Sequence, residues 1–164
     1  MTTESDPCVQ TLVAFADAIL NDKSQLIIAD LCKFPCSYFA GKKKYHLLRE
    51  TAFLCLFIIH AVGQAKDLPS DKINLAFNHI YRLKFQGKEK VQTWFSDLVQ
   101  KIDQYVASAS SEKAGDFFGI AGLFLISVKS FDNTLPGFEQ FAVVEYIGKL
   151  FDVLIQAVEK YGDE

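Results

Sequence analysis

Nowhere in this chain do about 18 apolar residues follow one another, the length that suggests a helix across a membrane. The opening residues, Met1 to Pro7, place no apolar stretch behind a basic one. No secretory leader is read there, and the expected compartment is the cytoplasm. The four cysteines (Cys8, Cys32, Cys36 and Cys55) are then expected as free thiols, because a reducing compartment does not keep disulfides. Repeats, low-complexity tracts and long linkers are absent too. Strict polar–apolar alternation is missing, which argues against strands. The expectation is one domain over residues 1–164, with 1–6 as a flexible N-terminus.

Catalytic motifs are equally scarce. Gly115-x-x-x-Gly119 lacks the lysine of a phosphate-binding loop and falls inside a helical pattern. No inward Glu-x-x-His pair exists for a di-metal bundle site. Glu50 follows His46 by four residues, so the two share a helix face as an ordinary surface pair. An enzyme assembled from dispersed residues such as Tyr45, His46 and Glu50 ranks third, because nothing in the spacing selects them. Cys32-x-x-x-Cys36, with His46 as a third ligand, makes only half a metal site: zinc sites usually show two close-spaced pairs, and Pro35 separates the two sulfurs. The expectation is no metal and no cofactor, with Cys32 and Cys55 as small core hydrophobes and Cys36 as a loop thiol. His60 is the one histidine inside an apolar run and so the candidate haem ligand. The nineteen residues from His60 to His79 are too few for facing helices. A histidine near a helix end that bonds a carbonyl or reaches water is the plainer reading.

What the chain has is apolar bulk. Half of its residues are apolar, and fifteen are Phe against a single Trp and a single Met. So many rings must fill a dense core, a pocket or an interface. Ala52 to Val62 holds ten apolar residues in eleven, on every side of a helical wheel, and such a helix has to be enclosed. The expected fold is therefore all-α: an irregular bundle of about seven helices around a buried central helix at about 45–65. A second, mostly buried helix is expected at about 112–131.

The remaining helices follow from caps and stripes. Asp6-Pro7 opens the first, with Leu12, Phe15, Ala16, Ile19 and Leu20 inward. Ser24 is placed to cap a short second helix with Ile27, Ile28 and Leu31 inward. Residues 36–44 read as a loop. Ser70 is placed to cap the fourth helix, with Ile73, Ala76, Phe77, Ile80 and Leu83 inward. Val91, Trp94, Phe95, Leu98, Ile102, Tyr105 and Val106 form the fifth stripe, with Lys101 away from it. Ser108 to Ser111 reads as a break. After the possible caps Asn133 and Thr134, the last stripe is Phe141, Val144, Gly148, Phe151, Ile155 and Val158. Gly115, Gly119 and Gly122 predict a close crossing at the sixth helix, since each glycine costs a helix about 1 kcal/mol.

The net charge of −3 is unevenly spread: residues 42–100 carry ten Lys and Arg against five acids, and residues 101–164 carry five against ten. The stretch Lys42, Lys43, Lys44 to Arg49, joined by Lys84, Lys88 and Lys90, suits phosphate, an anionic membrane or an acidic protein. Its plain reading is a solvated loop. Nucleic acid is not expected, because the chain is acidic and shows no recognition motif. The leading functional expectation is a non-catalytic binding module that acts through a protein partner and self-associates as a homo-oligomer. Its interface falls on the last two helices at Gly119, Gly122, Phe138 and Phe141. The alternative is a carrier or sensor for an apolar ligand or haem, with His60 or Tyr105 as the polar handle.

Overall fold

The apolar run from Ala52 is enclosed as its composition demands. In a computed structural model that describes residues 6–33, 41–110, 117–129 and 137–162, every residue from Ala52 to Ile59 is at most 2% exposed. Each large apolar side chain buried this way contributes about 1.5–3 kcal/mol relative to exposure. Among the described residues there are seven helices and no strand: α1 (Pro7–Leu20), α2 (Asp22–Leu31), α3 (Gly41–Ala65), α4 (Ser70–Lys84), α5 (Val91–Ser110), α6 (Phe118–Lys129) and α7 (Glu139–Gly162). The chain folds as an all-α bundle. Helix α3 touches all six others, α1 lies along α4, and α6 lies along α7. By length and composition alone α3 could cross a membrane, but 72% of its most apolar 18-residue window is buried inside the fold.

The first helix forms as its sequence predicts. Asp6 accepts backbone hydrogen bonds from Cys8 at 2.8 Å and Val9 at 3.3 Å, which satisfies two N–H groups that a helix start leaves unpaired. Its other oxygen lies 3.1 Å from Lys72 of α4. Asp6 is thus pinned and is no part of a flexible terminus; residues 1–5 lie outside the described residues. Leu12, Phe15, Ala16, Ile19 and Leu20 are all buried, as expected.

Several boundaries and faces differ from the sequence reading. The cap of α2 is Asn21, whose side chain accepts from the Ser24 N–H at 2.8 Å; Ser24 itself lies inside the helix. Ile28 and Ala29 turn inward, whereas Ile27 is exposed and its place is taken by the polar Gln25. Lys42 to Lys44 belong to the first turns of α3 and form no loop. Pro69 precedes α4 with no side-chain cap, so Ser70 is the first helical residue. Leu83 of α4 and Val91 and Val106 of α5 face water. Helix α5 continues through Ser108 without a break. In α7 the deepest residues are Val143, Ile147, Leu150, Leu154 and Val158, so the buried stripe is rotated away from Phe141, which is exposed. Asn133, Thr134 and Gly115 lie outside the described residues.

Most of the rings go to the core. Trp94 is fully buried, with ring centroids of Phe53, Tyr81, Phe85 and Phe95 5.0–5.6 Å away. Phe57 stacks on Tyr105 at 5.0 Å and meets Phe151, which stacks on Phe117 at 4.8 Å. These aromatic contacts join α3, α4, α5 and α7 across the interior.

Candidate functional site

Helix α3 carries two polar groups inward, and the fold builds an ionic cluster around each. Glu50 is buried and not a surface pair with His46. Its Oε2 faces Lys101 Nζ of α5 at 3.4 Å without forming a hydrogen bond. Lys101, read from the sequence as outward, bends in and donates to Ser127 Oγ of α6 at 2.8 Å. His46 Nε2 lies 2.8 Å from the Ser127 carbonyl. The hydroxyl of fully buried Tyr105 has no hydrogen-bond partner; burial, with the Glu50 charge behind it, holds its pKa well above the usual range. As arranged, the cluster tethers α3, α5 and α6.

The second cluster holds Arg49. Its Nε donates to both carboxylate oxygens of Glu89 at 3.0 Å, its Nη2 to Asp97, and the guanidinium lies 4.6 Å from the centre of the Phe53 ring. Tyr45 donates to the same Glu89 carboxylate. Arg49 is therefore spent inside the protein, and the basic face of α3 consists of its lysines. Lys44 pairs with Asp22 at 3.5 Å. Cys32 is buried and unpaired, as are Cys8 and Cys55, and Cys36 lies outside the described residues. No group of three potential metal ligands occurs among the described residues.

Of the picks on the last two helices, Gly119 and Gly122 lie on α6, Phe141 lies on α7, and Phe138 stands one residue before that helix. Phe138 is 90% exposed, Phe141 63% and Phe118 43%, and the rings of Phe118 and Phe141 lie 5.8 Å apart. Gly122 sits beside them under the Gln140 amide, which donates to the Phe118 carbonyl at 2.9 Å. A Cβ at Gly122 would lie 2.8 Å from Gln140 Nε2, the movable end of a long side chain, which would have to shift. A Cβ at Gly148 of α7 would meet the Phe117 ring at 3.6 Å, an ordinary van der Waals contact. Phe118 and Phe141 thus pair in the open, and Phe138, whose carbonyl accepts from the Phe141 N–H, adds a third exposed apolar ring at the start of α7.

His60 lies where the cover over α3 ends. It lines a groove of about 640 Å3 that α4 and α5 leave between them, together with Phe77, Leu98, Ile102, Asn78 and Asp103. Tyr105, the other candidate handle, is not part of that wall. No residue pattern marks the groove, because it is a gap between two helices whose facing residues are ordinary. Comparison with protein-family models, with curated proteins and with solved structures returns no match for this chain.

Proposed function

We propose that this chain is a non-catalytic cytoplasmic module that acts through protein–protein contact, first with a second copy of itself. The observation that carries the reading is the α6–α7 face, where Phe118 and Phe141 pair in water and Phe138 is exposed three residues before Phe141. A face of this kind suits an isologous pair, in which the same patch meets itself across a two-fold axis. Three buried, unpaired thiols fit a reducing compartment. Light scattering from about 5 to 500 µM protein is the test, a range that spans ordinary weak-dimer affinities. The wild-type mass should rise toward that of a dimer, and Phe138→Asp/Phe141→Asp should hold it at the monomer. A wild-type chain that stays monomeric throughout removes the self-association.

The groove at His60 favours a second reading, a carrier for an apolar ligand with one polar group. Its volume lies within the range of small-molecule sites, and its lining joins apolar residues such as Phe77, Leu98 and Ile102 to a few polar ones, His60 and Asn78 among them. Solvent extraction and mass spectrometry of the purified protein, with a visible absorbance scan for haem, would reveal a co-purified occupant. A clean extract together with an unchanged melting curve on adding long-chain alcohols would dispose of it.

A further inference from the structure

A different cavity, of about 410 Å3, opens between the α1–α2 junction, the start of α3 and the end of α4. Lys44, Lys84 and Lys88 converge on it from three separate elements. Gln25 forms part of its wall and is 3% exposed; its Oε1 has no hydrogen-bond partner, while its Nε2 points to the Ile19 carbonyl at 3.4 Å. The Tyr45 ring and Leu48 supply an apolar side. We propose that this cavity binds a phosphate ester of a sugar or similar polyol, held by the three lysines at the phosphate and by Gln25 at a hydroxyl.

The charge selects the phosphate. Three ammonium groups outnumber Asp22 in the wall and Asp17, which pairs with Lys84 beside it, so the cavity keeps a positive balance that an anion can meet. Lysine serves phosphate as a point charge from any direction, whereas paired recognition of a carboxylate favours arginine. The nearby arginine, Arg49, is committed to Glu89 and Asp97. The present partners of two of the lysines are easily exchanged: Lys44 meets Asp22 at 3.5 Å and Lys84 meets Asp17 at 3.4 Å, and both carboxylates are largely exposed. Lys88 lies 5.8 Å from the centre of the Tyr45 ring.

Gln25 selects the rest of the ligand. A buried carbonyl oxygen without a donor is costly, and a phosphate dianion has no proton to offer it. The donor must come from another part of the same molecule, and a hydroxyl is the simplest. The apolar side formed by Tyr45 and Leu48 accommodates the C–H face of a sugar ring. A soluble sugar phosphate and a phosphorylated inositol headgroup share this chemistry. The site has no residue in common with the α6–α7 face and stands apart from the self-association reading.

Calorimetry at low ionic strength, with inorganic phosphate, glucose 6-phosphate and glucose as probes, tests the proposal. Glucose 6-phosphate should bind about tenfold or more tightly than inorganic phosphate, and glucose should give no heat. Lys84→Gln/Lys88→Gln, with the fold checked by circular dichroism, should weaken glucose 6-phosphate by about tenfold or more. Gln25→Leu should erase its advantage over inorganic phosphate. If that variant does not fold, the lysine variant and the glucose comparison decide alone. Sedimentation with phosphatidylcholine vesicles, with and without phosphatidylinositol 4-phosphate, separates the sources: capture only by the phosphorylated vesicles assigns the site to a lipid headgroup. No binding of any phosphate probe, equal binding of inorganic phosphate and glucose 6-phosphate, or an unaffected lysine variant each overturns it.

Discussion

Lys101 spans the distance from the outer side of α5 to a carboxylate that has left water. Its reach is what makes Glu50 tolerable in the interior, because a buried charge is costly unless another meets it. Lys101→Met should therefore destabilise the protein by about 3 kcal/mol in urea unfolding, since it strands the Glu50 charge. Replacing both partners, Lys101→Met/Glu50→Leu, should recover most of that loss. The buried thiols make a second case at this scale. Burial pushes the Cys32 thiol up to about 12 and raises Cys55 further. At pH 8 neither offers appreciable thiolate, so iodoacetamide should label both only after denaturant is added, as read by peptide mass spectrometry. Labelling of either in the folded protein would mean that the core opens.

Among the elements, α2 shows how small a signal fixes a helix end. Asn21 holds the Ser24 N–H, so Asn21→Ala should lower stability by about 1 kcal/mol in the same unfolding measurement. Ser24→Ala keeps that N–H and should cost less. Asn21 and Ser24 are equally good caps by composition, which is why the sequence alone placed the start three residues late. The central helix was legible for the opposite reason: a run that is apolar all round needs no assignment of faces. Helix α7 was harder, because Phe141, Val144 and Phe151 compete with Val143, Ile147 and Leu150 for the inward side, and only the packed neighbours decide. Glu50 and Lys101 were misread because a long side chain on the rim of a helix can turn either way. Phe141 was read both as a contact residue and as part of the inward stripe, and its exposure removes it from that stripe; α6 and α7 carry more large rings than one buried face each can use. The groove at His60 and the cavity at Gln25 had no sequence signature; both arise where helices, even consecutive ones such as α4 and α5, fail to meet closely.

For the molecule as a whole, ion pairs between helices act as ties that acid will cut. Asp6 joins α1 to Lys72 of α4, Lys84 joins α4 to Asp17 of α1, and Lys66 reaches Glu159 of α7 at 2.7 Å. The Lys72 ammonium holds the Asp6 carboxyl below its ordinary value, with the backbone bonds from Val9 and Cys8 acting the same way. A depressed folded-state value means that the stabilisation is present above the unfolded value and lost as pH falls through the folded one. Asp6→Asn keeps the cap acceptor but loses the charge. Its urea midpoint should therefore fall less steeply than the wild type's below about pH 4. Equal acid limbs in the two proteins would mean that the Lys72 pairing contributes nothing.

Because α3 is reached by helices on both sides of it in the chain, its most apolar stretch leaves the ribosome long before its last neighbours exist. At about 5–20 residues per second, the wait for α7 is on the order of ten seconds. During that interval a nascent segment suited to the inside of a protein is bare, and factors that shield newborn chains should find it first.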